Sequence, residues 1–105
     1  MFWEEMMRRE MGYEPITTFW DDFSIAEAFG HEAIKDTYNC AMEEWKSNYK
    51  YLTELVLVLN HKIWQHYKND EQMAKVYDEL WRETVNYAVE NLKGEEADYY
   101  YRITD

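Results

Sequence analysis

A chain of 105 residues and 13.0 kDa can hold one hydrophobic core but not two. Eleven Lys and Arg against 22 Asp and Glu give a formal charge of −11, which disfavours nucleic acid phosphates and anionic membranes as partners. Hydrophobic residues are 47% and aromatic residues 18% of the chain, unlike a disordered segment, and three glycines and one proline are too few turns for a sandwich of short strands.

Residues 1–16 are expected to be a frayed or loosely docked extension, because Gly12 and Pro15 end any helix begun by the Met- and Trp-rich start. Residues 17–105 are read as a single helical-bundle domain. Thr18 is the expected N-cap of a first, shorter helix, with Asp21 and Asp22 in its first turn and Gly30 as its stop. Phe19, Phe23 and Ala26 form its inward stripe, with Trp20 beside it. A second helix is predicted from about His31 to Ser47, where Ile34, Tyr38, Ala41, Met42 and Trp45 share one face. Ser47 and Asn48 prefer caps and turns, so the break falls there rather than a helix running through.

A third helix, about Tyr49 to Tyr67, carries Leu52, Leu55, Val56, Leu59 and Ile63 on one stripe and Leu57 with Trp64 on a second, which predicts burial on two sides. Asn69 or Asp70 caps a fourth helix, periodic from Met73 to Ala88 and ended by Gly94. The tail, Glu95 to Asp105, shows no assignable period. Residues 17–47 hold seven acids and two bases, residues 48–68 one acid and three bases, and residues 69–98 nine acids and three bases. The third helix is thus the least acidic and the most apolar, so its expected place is the centre. The predicted fold is all-α, a small antiparallel bundle of three long helices plus a shorter N-terminal helix.

The lone cysteine, Cys40, leaves no internal disulfide or Cys-rich zinc site, which fits a reducing cytoplasm. Glu4 and Glu5 stand where a signal peptide needs positive charge, and the longest aliphatic run, Leu55 to Leu59, is far short of the roughly 20 residues of a membrane span. The expected localisation is cytoplasmic.

No catalytic motif stands out. None of His31, His61 and His66 follows a glutamate by three positions, so the di-iron signature of helical bundles is missing. His31-Glu32 opens like a zinc-protease motif, but Lys35 occupies the second ligand position. Glu54 and His61, seven apart, share a helix face and are the one two-ligand fragment, the basis of an alternative reading as a small metal-dependent enzyme. The glycines lie in no phosphate-binding loop. An enzyme is therefore the disfavoured class, with no catalytic residue, cofactor or metal assigned.

Nineteen aromatic rings exceed what one small bundle buries fully. Tyr49, Tyr51, Trp64, Tyr67, Tyr99, Tyr100 and Tyr101 are the candidates to reach the surface and anchor a partner protein, a second copy of the chain being the other choice. The tail tyrosines have an equally simple structural role, folded over the end of the bundle with wet hydroxyls. A narrower alternative is an acidic mimic of nucleic acid, in which Asp36, Glu43, Glu79, Glu83 and Glu90 stand for phosphates and block a host DNA-binding protein. Solubility alone also accounts for such acids.

Three runs, TTFWDDFSIA from Thr17, NYKYLTELVLVLN from Asn48 and NLKGEE from Asn91, together resemble a group of small uncharacterised acidic helical proteins of gut bacteria associated with mobile genetic elements. The resemblance implies a bacterial cytoplasm and an accessory role on such an element. It implies no functional residues, because the group has no known activity.

Overall fold

Two side-chain caps and two glycines mark helix boundaries in the computed structural model, which describes residues 16–104. The expected extension lies outside these residues except for Ile16, which opens α1 (Ile16–Glu27). Thr18 therefore sits inside that helix and not at its cap. Gly30, at φ 112° and ψ 180°, separates α1 from α2 (His31–Trp45). A side chain at this φ is strained, although nothing lies within 4 Å of the position a Cβ would take. Asn48 then caps α3 (Tyr49–His66), its Oδ1 accepting from the backbone N–H groups of Lys50 (3.1 Å) and Tyr51 (3.3 Å). Asp70, not Asn69, caps α4 (Glu71–Asn91) by accepting from the N–H of Met73 at 3.1 Å.

After Gly94 the tail forms a fifth helix, α5 (Glu95–Thr104), which the sequence reading left unassigned. Its first turn holds Glu95, Glu96 and Asp98 and its last turn Arg102, the charge order a helix dipole favours. The described residues are all-α, with five helices and no strand. None of these helices is long and apolar enough to cross a membrane.

Helix α3 packs against each of the other four. Its central place follows from its sequence: Leu52, Leu55, Val58 and Leu59 are essentially without solvent exposure. Burying one such side chain stabilises by about 2 kcal/mol. One core joins α1 to α4 around Phe23, Ile34, Leu59 and Tyr77, and a second joins α3, α4 and α5 around Leu52, Val56, Ala88 and Tyr100. The expected second stripe is corrected: Trp64 is exposed and Leu57 half-buried, while Thr53, Glu54 and Lys62 are buried on the same helix. α3 is thus enclosed on more sides than its apolar pattern alone accounts for, and part of that enclosure is polar.

Candidate functional site

Two unlike features meet at α1. At about 100° per residue, Trp20, Ser24 and Glu27 fall within about 60° of one another, and Asp22, Ile25 and Phe29 fall within about 60° on the opposite side. The first set faces a buried polar cluster and the second an open groove.

The cluster centres on Lys62, whose side chain is fully buried. Its ammonium donates to Ser24 Oγ at 2.7 Å and to Gln65 Oε1 at 3.2 Å, and pairs with Glu27 Oε2 at 3.0 Å. Three protons meet three acceptors. The Trp20 ring lies 3.9 Å from Nζ and covers the remaining side with its electron-rich face. Tyr77 OH donates to the same Glu27 oxygen at 2.6 Å. His66 Nε2 is 3.2 Å from that oxygen but outside hydrogen-bonding geometry, and its ring stacks on Tyr77 at 5.9 Å between centroids.

Burial pushes the Glu27 carboxyl up, but the hydrogen bonds from Tyr77 and Lys62 and the nearby His66 outweigh it and hold the group below its ordinary value. Burial, followed by the hydrogen bond and the negative charge of Glu27, pushes the Tyr77 phenol far above its usual range, so it stays a donor. With its buried cation paired and hydrogen-bonded, the cluster ties α1 to α3 and α4. A second buried contact, between the hydroxyls of Thr84 and Tyr38 at 2.9 Å, links α4 to α2 in the same way.

The groove runs between α1 and α2 and encloses about 650 Å³. Ile25 and Phe29 form one wall and are 62% and 79% exposed, the latter the most exposed large apolar residue described. Small residues of α2, among them Ala33, Thr37 and Cys40, leave the floor low, and Trp45 stacked on Tyr51 at 4.0 Å closes one end. Asp22, Asp36 and Glu44 also line the groove, all exposed, and no Lys, Arg or His lines it among the described residues. Burial and the charge of neighbouring Asp21 raise the Asp22 carboxyl above its ordinary value.

The sequence-predicted aromatics do not form one surface. Tyr51 (4% exposed) and Tyr100 (3%) are corrected to core residues. Tyr51 lies between Trp45 and Phe19, and Tyr100 turns inward because α5 packs back on α3. Tyr49 and Tyr99, both half-buried, meet edge to face at 5.3 Å. Trp64 and Tyr67 are exposed at the far end of α3, roughly 22 Å along the helix from Tyr49. Tyr101 is exposed beside a smaller groove of about 260 Å³ between α3, α4 and α5, which Val89 also lines.

Glu54 is buried whereas His61 is exposed, so the expected two-ligand fragment does not converge. Among the described residues no three His, Cys, Asp or Glu side chains gather as metal ligands would. Asp36, Glu43, Glu79, Glu83 and Glu90 are all exposed. Sequence reasoning missed Lys62 and the Ile25–Phe29 wall. Ile25 carried a signal, being a large apolar residue out of phase with the Phe19, Phe23 and Ala26 stripe. Compared with known proteins, the chain matches no family model, no curated protein and no solved structure.

Proposed function

We propose that this chain acts by binding another protein and carries out no chemistry of its own. The observation that carries the reading is the groove between α1 and α2, with Ile25 and Phe29 left open to solvent beside exposed acids. Large apolar side chains left open together beside polar residues are a mark of an interaction site. The fixed polar cluster on the other side of α1 supports the reading, since a wall held in place binds without first being ordered. The finer arrangement we favour is three long antiparallel helices with α1 laid across them. The setting we favour is the bacterial cytoplasm, in an accessory role on a mobile element.

The test is a paired pull-down with the full chain and its Phe29→Asp variant, alongside Trp64→Ala as a surface control. A protein retained by the parent and the control and lost from Phe29→Asp supports the reading. An inert monomer that retains nothing, or retention unaffected by Phe29→Asp, counts against it. The nucleic-acid mimic separates when a variant with Asp36, Glu43, Glu79, Glu83 and Glu90 neutralised is added to the same experiment. Its partner would be a DNA-binding protein, and retention would depend on these acids rather than on Phe29.

A further inference from the structure

We infer that the α1–α2 groove takes an amphipathic helix whose apolar stripe is flanked on both sides by Lys or Arg. This inference rests on the partner-binding reading and adds the chemistry of the partner.

The length of the groove comes first. Its α2 side extends from Ala33 to Trp45, about 18 Å at 1.5 Å per residue, or roughly three helical turns. An apolar trough of that length suits anchors at i, i+3 or i+4 and i+7 on one helix face, the usual mode of helix-in-groove recognition. The low floor over Ala33 and Thr37 leaves room for large anchors such as Leu or Phe.

Charge then selects among such helices. Asp36 and Glu44 stand eight residues apart on the α2 side, about 12 Å, and Asp22 stands on the α1 side. Acids on both helices of the groove call for cations on both flanks of the incoming stripe. Nothing basic lines the groove among the described residues to neutralise them, and the chain as a whole carries −11. An acidic helix would meet like charge from both helices, so the same residues that attract one class of partner repel the other.

Cys40 lies midway between Asp36 and Glu44, is exposed, and is the only cysteine, so its alkylation reports occupancy. The probe is a synthetic 14-residue helical peptide with a Leu stripe flanked by Lys, compared with counterparts carrying Gln or Glu in place of every Lys. Iodoacetamide labelling of the full chain is followed with each peptide, at low and high salt. The Lys peptide is expected to slow Cys40 labelling at least tenfold at saturation, the Gln peptide to bind more weakly, and the Glu peptide to give no protection. The triple variant Asp22→Asn, Asp36→Asn, Glu44→Gln is expected to weaken the Lys peptide about tenfold at low salt and to flatten its salt dependence. Glu79→Gln with Glu83→Gln, on α4, serves as the control for non-specific attraction and leaves binding unchanged.

Equal protection by the Gln and Lys peptides would overturn the charge selection while leaving the groove a docking site. An equal loss from the α4 control would overturn it as well, by showing diffuse attraction to an acidic surface. Protection by none of the peptides, or protection indifferent to Phe29→Asp, would overturn the groove reading itself. Slow labelling of the free chain would also overturn the inference. If it varied with protein concentration the occupant would be a second copy, and if it did not the occupant would be a segment of the same chain.

Discussion

The two sides of α1 are built from opposite materials. One side meets α3 and α4 through charges, with Lys62 sealed among Ser24, Gln65, Glu27 and the Trp20 ring. The other faces α2 through apolar side chains that stay in water. Burying a lysine is costly and is tolerated only when its partners are complete, whereas exposing a phenylalanine forgoes stability that burial would supply. Position in the fold, and not residue polarity, separates the two roles: the charged side is the fastener and the apolar side is the candidate binding face.

The largest expected effect tests whether α1 is anchored at all. Phe23 is fully buried between the two sides, edge to face with Tyr77 at 5.8 Å, and Phe23→Ala should lower unfolding stability by about 4 kcal/mol in urea titrations. Next comes the fastener. Lys62→Met leaves Glu27 without its cation and should cost about 3 kcal/mol, and adding Glu27→Gln should cost less than the sum of the two single changes, because the residues act as one unit. A Lys62→Met chain as stable as the parent would show the cluster to be incidental. Tyr77→Phe removes one charge-assisted hydrogen bond to Glu27 and should cost about 2 kcal/mol in the same titration. On the groove side, Phe29→Asp should change stability by no more than about 0.5 kcal/mol while abolishing partner binding.

The smallest effect is the sharpest contrast, because Glu27 and Asp22 of α1 are shifted in opposite directions. Glu27 lies below its ordinary value of 4.5, so its contribution to stability is present above that pH and lost as the pH falls through the folded value. Asp22 lies above its ordinary value of 3.8, so its contribution is present below that pH and lost as the pH rises through the folded value. Acid titration of the Glu27→Gln variant should therefore show a weaker loss of stability below about pH 4.5 than the parent. Asp22→Asn should be neutral to slightly stabilising at pH 7. Thermal unfolding across pH 3 to 7 measures both.

Much of the chain was legible because its helix boundaries are local chemistry. Gly30, Asn48, Asp70 and Gly94 mark the boundaries through torsions and side-chain caps that depend on residues nearby in sequence. The stripe of Phe19, Phe23 and Ala26 was equally plain, and all three are buried. Two things were not legible. In α5 the run of three tyrosines hides any apolar period, although the first-turn acids and Arg102 already carried the polarity of a helix. Lys62 reads as a solvated charge because its partner Glu27 is 35 positions away and becomes a neighbour only once α1 docks on α3. The groove is hidden for a related reason: a space between two helices is a property of the pair, and periodicity reports one helix at a time.

Gly30 gives this arrangement a further consequence. The angle between the two walls depends on a backbone torsion that L side chains rarely adopt, in a spot where no neighbour would collide with an added methyl group. Replacing this glycine would therefore strain the joint between the walls through its torsion, with no steric clash to confound the result. The turn that joins the two walls is thus set by a torsion and lies apart from the residues that line the cleft.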